Sequence, residues 1–185
     1  DINKSITEIQ YNILNLPNHI SFDGGRSFVS SYAADGNKRS NTHTINDNVT
    51  STVYCGNAIY ENGSLKLLLT ETGYVSFPDK KFHFYLKDHQ GNVRVVADKD
   101  GKLEETNDYY PFGGTFTTST SVQSYKYNGK ELDRKNGLDW YDFGARHYDA
   151  VIGRWYVQDP LNEMNNANPY LFCFNNPLRY VDIMG

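Results

Sequence analysis

The stretch VYCGNAIYENGSLKLLLT, residues 53–70, decides the fold class of this chain. Aliphatic and aromatic residues fill both of its halves, and Asn62-Gly63 separates them. Asn-Gly readily adopts the positive φ angles of a type I′ turn, which joins two antiparallel strands. The stretch therefore predicts a β-hairpin with its turn at 61–64.

Similar units lie on both sides of this hairpin. Short segments with Val, Ile, Tyr or Phe alternate with groups of Asn, Asp, Gly and Lys. The groups that predict turns are 15–18, 34–38, 88–92, 98–102, 128–130 and 135–137. The polar stretch 38–52 predicts a loop or an edge strand, and the best helix candidate is a short turn near 161–165. This repeated pattern predicts an all-β, antiparallel architecture of successive hairpins.

Aromatic residues are unusually frequent in this polar chain. It has 185 residues, of which 15 are Tyr, 10 Phe and 2 Trp. A tyrosine ring can cover a sheet face while its hydroxyl stays hydrated. We therefore expect rings paired across strands to stabilise a sheet that has little conventional core.

Charge and composition argue against several classes of function. The 18 basic and 22 acidic residues are interspersed, which does not favour nucleic-acid binding. The five histidines lack zinc-type spacing, so neither a metal site nor a cofactor is predicted. Apolar runs such as Leu67–Leu69 are far shorter than the roughly 20 residues of a membrane-spanning helix. Cys55 and Cys173 can form one disulfide at most, and two buried free thiols are expected.

Several motifs, in order along the chain, resemble the Rhs/YD-repeat family. YLKDHQGNVR at 85–94 resembles a YD repeat, and NDYYPFG at 107–113 resembles the segment that follows it. The remaining motifs resemble the Rhs repeat-associated core: YNGKELD (127–133), GLDWYDFGARHYD (137–149), GRW (153–155), DP (159–160), NPY (168–170), NNP (175–177) and DIMG (182–185). The order and number of these motifs make the resemblance specific.

The resemblance implies a spiral of β-hairpins that winds into a hollow shell, which the core domain closes at one end. It implies degenerate YD-repeat hairpins over 1–106 and the core over 107–185, as two domains or one continuous domain. The implied partners are the protein's own upstream YD repeats and a downstream C-terminal effector. The implied location is secreted, or at the cell surface of a bacterium, as part of a larger protein.

The resemblance also implies an aspartyl autoprotease that cuts just beyond the end of the core. The family's functional positions correspond to Asp159 and Asp182 as the catalytic pair and to Arg146 as the orienting residue. Two carboxylates that share one proton can act as acid and base on a peptide bond. This chain has Ile183 where the family usually has proline, and Asp149 is followed by alanine instead of proline.

Structural roles are open to the same residues. Asp159 and Asp182 can cap turns with their carboxylates, and Arg146 can pair with Asp142 or Asp149. Two hypotheses therefore remain. The first is a shell-and-plug module that processes itself and releases an effector. The second is a non-enzymatic adhesion module that binds a carbohydrate or a protein at a cell surface. Convergence of Arg146 and the two aspartates would favour the first.

Overall fold

A computed structural model describes residues 1–116, 121–161 and 168–185 of the chain. The chain divides into two compact units. The first unit comprises Asp1–Phe84, Ala97–Lys102 and Arg134–Leu138. The second unit comprises Tyr85–Val96, Leu103–Asp133 and Asp139–Gly185.

Eleven strands follow one another in an antiparallel sheet whose spatial order equals the order in the sequence. They are β1 (Ile6–Tyr11), β2 (Pro17–Phe22), β3 (Ser27–Tyr32), β4 (Lys38–Ile45), β5 (Asn48–Cys55), β6 (Ala58–Glu61), β7 (Ser64–Thr70), β8 (Gly73–Ser76), β9 (Lys81–Lys87), β10 (Val93–Asp98) and β11 (Leu103–Thr106). The predicted all-β class is therefore confirmed. The sheet is an open succession of hairpins.

A smaller antiparallel sheet of four strands belongs to the second unit. Its strands are β12 (Glu131–Asp133), β13 (Trp140–Asp142), β14 (His147–Asp149) and β15 (Arg154–Trp155). Short 3-10 segments lie at Ile2–Lys4, Asp23–Gly25, Tyr127–Gly129, Lys135–Gly137 and Cys173–Asn175. The parts of the chain that the structure describes contain no helix long and apolar enough to cross a membrane.

The hairpin predicted from Asn-Gly is confirmed. Asn62 and Gly63 have φ angles of 49° and 81°, and they join β6 to β7 with Glu61 opposite Ser64. The preceding segment 53–60 is not one strand, because a turn at Gly56 separates β5 from β6.

The prediction of a loop or edge strand over 38–52 is wrong. This stretch forms β4 and the first half of β5, and β4 lies inside the sheet between β3 and β5. Asn46 and Asp47, with φ of 48° and 64°, make the tight turn between the two strands. Polar side chains occupy buried strand positions here because they bond to one another, as Ser30 Oγ does to Asn41 Oδ1 at 2.7 Å. Polarity alone was therefore a misleading signal.

Two further predictions concern local elements. The turn expected at 15–18 lies earlier, because β2 already begins at Pro17. The Asn12 carboxamide oxygen holds this earlier turn by accepting the amides of Leu14 and Leu16 at 2.9 and 3.0 Å. The helical turn predicted near 161–165 lies, apart from Leu161, outside the described residues.

Aromatic rings form the main core of the second unit. Seven buried side chains pack together there: Tyr127, Leu132, Tyr141, Phe143, Tyr148, Trp155 and Phe172. They come from β12–β15 and from the loops around these strands, so the rings build a conventional three-dimensional core in addition to pairing across strands.

Three core tyrosines hold the YPFG segment by its backbone. The hydroxyls of Tyr127, Tyr148 and Tyr141 donate to the consecutive carbonyls of residues 111, 112 and 113 at 3.0, 2.8 and 2.9 Å. These bonds give each tyrosine hydroxyl the hydrogen-bond partner that a buried polar group requires.

Both cysteines are free thiols. Cys173 lies partly buried against the aromatic core, whereas Cys55 is exposed at the end of β5. The prediction of a buried thiol is therefore wrong for Cys55, because its position at the strand end faces solvent.

Candidate active site

Arg146 is a buried cation in the turn between β13 and β14. The amide of Phe143 donates to the Arg146 carbonyl at 3.1 Å, and the Asp142 carboxylate accepts the amide of Gly144 at 2.9 Å. These bonds close the turn and direct the Arg146 side chain inward, where only 5% of it is exposed. Its guanidinium carbon lies 4.4 Å from the centre of the Trp155 ring, a favourable cation–π distance.

Asp159 and Asp182 converge on this guanidinium. Their Oδ2 atoms lie 3.2 and 3.9 Å from the same nitrogen, Nη2 of Arg146. Their side chains are 31% and 29% exposed, so each carboxylate contacts the buried cation while remaining accessible to water. The structure thus brings together all three residues that the resemblance indicated.

Each carboxylate also caps a turn with its other oxygen. Oδ1 of Asp159 accepts the amide of Leu161 at 2.8 Å. Oδ1 of Asp182 accepts the amides of Met184 and Gly185 at 3.0 and 2.7 Å. The turn-capping role considered from the sequence is therefore real, and it is compatible with the pairing to Arg146 because different oxygens are used.

Burial and charge act in opposite directions on Arg146. Burial lowers the pKa of its guanidinium, and the nearby carboxylates of Asp159 and Asp182 raise it. An arginine keeps its proton even in such a site, so the two carboxylates face a permanent positive charge. Nη1 of Arg146 also donates to the Pro169 carbonyl at 3.2 Å, which fixes the plane of the group.

The 182–185 segment lies across the Arg146 turn. The amide of Ala145 donates to the Met184 carbonyl at 3.0 Å. Gly185 has φ of +92°, and a Cβ there would lie 2.9 Å from the Arg146 amide nitrogen and 3.0 Å from Phe143 Cβ. Glycine is thus the residue that fits this position.

Lys130 is a further member of the site that the sequence analysis did not single out. Its Nζ donates to the Ile183 carbonyl at 2.5 Å, and it lies 5.2 Å from the centre of the Phe143 ring. Burial lowers the pKa of Lys130, while Asp142 and Asp182 raise it. The lysine lies within the YNGKELD motif, which was the available signal.

The arrangement contains the groups that acid–base chemistry on a peptide would use. Two accessible carboxylates flank one cation, and two hydrogen bonds, from Lys130 Nζ and from the Ala145 amide, hold the 182–185 segment beside them. Among residues 1–116, 121–161 and 168–185 no group of three or more His, Cys, Asp or Glu side chains could hold a metal ion.

Comparison with known proteins gives consistent sequence relatives. No family model matches the chain. It is 34% identical over 127 residues to Salivary gland surface protein 1 of Aedes aegypti, covering 66% of this chain and 3% of that protein. It is 37% identical over 94 residues to the toxin subunit YenC2 of Yersinia entomophaga, covering 48% and 9%. It is 31% identical over 110 residues to the double-stranded DNA deaminase toxin A of Burkholderia cenocepacia, covering 56% and 7%.

Solved structures show the same fold over nearly the whole chain. The TcdB2-TccC3 crystal structure superimposes with a TM-score of 0.81 at 19% identity, covering 97% of this chain and 10% of that one. The Photorhabdus luminescens Tc holotoxin pore gives a TM-score of 0.79 at 20% identity, covering 96% and 10%. At these identities the likeness establishes the fold alone.

The chain spans a tenth or less of the length of each of these proteins. What it shares with them is a β-rich structural module that occurs in toxin subunits. The ordered motifs, the sequence relatives and the fold agree with one another. The sequence relatives and the shared fold support the resemblance to Rhs/YD-repeat proteins, and they support an Rhs repeat-associated core region in this chain.

Proposed function

We propose that this chain is the shell-and-plug module of a secreted bacterial Rhs-type protein and that it cuts itself once, just past Gly185, to release a C-terminal effector. Residues 1–106 would supply YD-repeat wall and residues 107–185 the core. The observation that supports this proposal is the convergence of Asp159 and Asp182 on Nη2 of Arg146, next to the 182–185 segment.

The chemistry needs one protonated and one ionised carboxylate. The ionised carboxylate accepts a proton from a water molecule, whose oxygen attacks the carbonyl carbon of the scissile bond. The protonated carboxylate donates a hydrogen bond to the carbonyl oxygen as charge develops there. The C–N bond then breaks, and the leaving nitrogen takes up a proton. Arg146 keeps the two carboxylates close by offsetting their mutual repulsion.

The substrate is part of the same chain, which accounts for a single turnover. Lys130 and the Arg146 turn hold the 182–185 segment through the carbonyls of Ile183 and Met184. A tethered and aligned peptide bond needs no separate binding step, so high effective concentration replaces a substrate cleft.

A second candidate function is a non-enzymatic module that binds a carbohydrate or a protein at a cell surface. Phe82 and Phe84, on the same face of β9, are 52% and 41% exposed and could stack on a ligand. In this case the Arg146 site would serve architecture alone.

Mass spectrometry of the chain extended through its native downstream residues tests the proposal. We expect the wild type to be cut just past Gly185, and the Asp159→Asn and Asp182→Asn variants to stay whole and folded. Asp100→Asn, which changes an exposed turn carboxylate, is the matched control and should be cut. Cleavage that persists in both site variants would exclude this mechanism, and a wild type that stays whole and folded would favour the second function.

A further inference from the structure

Three polar side chains in the second unit are buried together and play no part in the proposed cleavage. Glu105 lies on β11, Asn107 follows that strand, and Lys126 lies just before the 3-10 segment at Tyr127–Gly129. Their exposed fractions are 1%, 4% and 1%. An amine, a carboxylate and a carboxamide so completely removed from water form an unusual group.

The glutamate bridges the other two side chains. Oε1 of Glu105 accepts hydrogen bonds from Nζ of Lys126 and, at 2.6 Å, from Nδ2 of Asn107. Oε2 of Glu105 accepts the amide of Val122 at 2.6 Å, which fixes the orientation of the carboxylate. The lysine amine and the asparagine carboxamide therefore meet at one oxygen atom.

The backbone also holds Lys126 and Asn107 beside each other. The amide of Val93 donates to the Lys126 carbonyl at 3.1 Å, and the amide of Asn107 donates to the Arg94 carbonyl at 2.8 Å. Two consecutive residues of β10 thus anchor both residues. Placing two reacting groups next to each other lowers the entropic barrier to a reaction between them.

Lys126 and Glu105 are almost completely removed from water, and the proposed reaction needs the neutral form of this pair. An ion pair without contact to water loses more hydration energy than its attraction readily returns. Transfer of one proton from the ammonium to the carboxylate gives a neutral amine and a neutral carboxylic acid. A desolvated, neutral lysine is a nucleophile, and a buried carboxylic acid can donate a proton.

We propose that Lys126 and Asn107 form an intramolecular isopeptide bond, with Glu105 as the proton shuttle. With Glu105 protonated, the Asn107 carboxamide turns its oxygen toward the acid, which polarises the carbonyl. Nζ of Lys126 attacks Cγ of Asn107 and forms a new C–N bond. Glu105 takes a proton from Nζ and delivers one to Nδ2. The Cγ–Nδ2 bond breaks, and ammonia leaves, without any oxidant or external reactant.

The bond would join Asn107 and Lys126 covalently and so close a ring in the chain. Both cysteines are free, so no disulfide can do this in the described chain. A covalent closure restricts the unfolded chain in the way that a disulfide does. The inference is independent of the proposed self-cleavage, because none of its three residues contributes to the Arg146 site.

Intact mass of the folded 185-residue chain tests the inference directly. We expect the wild type to be lighter than its sequence by the mass of one ammonia. Chymotrypsin, which can cut after Tyr109 and Phe112, should then leave the Asn107 and Lys126 fragments linked in one species. Trypsin should fail to cut after Lys126, because its amine is acylated.

Variants add a second comparison. Lys126→Met and Glu105→Gln should have the full sequence mass, whereas Lys99→Met, which changes an exposed lysine, should keep the ammonia deficit. A wild type with the full sequence mass would overturn the inference, whether or not the variants fold. An ammonia deficit with separable chymotryptic fragments would also overturn it, since it would indicate a succinimide instead of a crosslink.

Discussion

Replacement of Gly113 by alanine tests how closely the YPFG segment packs against the aromatic core. Gly113 has φ of +85°, and an added Cβ would lie 2.6 and 2.7 Å from Cδ1 and Cγ of Tyr127. These distances are far below van der Waals contact, and the Tyr127 ring is only 2% exposed. The ring has no free space to move into, because it packs within the core.

Two costs contribute to the expected loss of stability. A left-handed backbone costs a non-glycine residue about 1–2 kcal/mol. Overpacking of a well-filled core costs about 1–3 kcal/mol more. Gly91→Ala is the matched control in the same unit. Gly91 has φ of +81°, and the atom nearest to an added Cβ, the Asn128 carbonyl carbon, would be 3.9 Å away. Only the first cost applies there, so Gly113→Ala should be less stable than Gly91→Ala by about 1–3 kcal/mol.

Urea unfolding followed by tryptophan fluorescence measures this difference. Trp140 and Trp155 are both buried in the second unit, so their emission reports on the unit that contains Gly113 and Gly91. The free energies of unfolding obtained by linear extrapolation should differ between the two variants, whereas the slope of the free energy against urea concentration should be the same for both. Equal destabilisation of both variants, within about 0.5 kcal/mol, would refute the steric argument.

Two further predictions concern ionisation in the second unit. Burial raises the pKa of the Cys173 thiol to about 11. We therefore expect this thiol to be alkylated about 100-fold more slowly near neutral pH in the folded chain than in denaturant. Equal alkylation rates would contradict this prediction. Burial also raises the pKa of Tyr127 and Tyr148, so the unfolded chain loses these protons first as pH rises. The free energy of unfolding should therefore be constant below about pH 10 and decrease above it. Tyrosinate absorbance from these two rings in the folded protein near pH 10 would be inconsistent with their burial.

Local chemistry was sufficient to predict several of the hairpins. Asn62-Gly63 adopts the positive φ angles that its sequence favours, and the turns at 88–92 and 98–102 likewise separate β9, β10 and β11. Such turns depend on a few adjacent residues, so they can be recognised without knowledge of the remaining chain.

The polar strands β4 and β5 were not predictable in the same way. Asn41 and His43 are buried at strand positions that the hydrophobic pattern does not mark. They are tolerated there because partners from other parts of the chain satisfy them, such as Asn136, whose Nδ2 lies 3.3 Å from Nδ1 of His43. Partners that are distant in sequence leave no local signal.

The motifs indicated Arg146, Asp159 and Asp182 as a group through resemblance, but not their geometry. The structure adds that both carboxylates face one guanidinium nitrogen and that Lys130 binds the Ile183 carbonyl. These contacts depend on how β12–β15 and the following loops pack around the aromatic core.

The sequence by itself determined the antiparallel β class, most of the turns and the resemblance to the Rhs/YD-repeat family, because turn residues and ordered motifs act over short distances. Only the tertiary structure decided which polar residues are buried, where the aromatic core lies and which charges meet at Arg146. Burial and charge pairing involve side chains that are far apart in the sequence. These side chains interact only after the chain has folded, so the sequence alone does not show which of them meet.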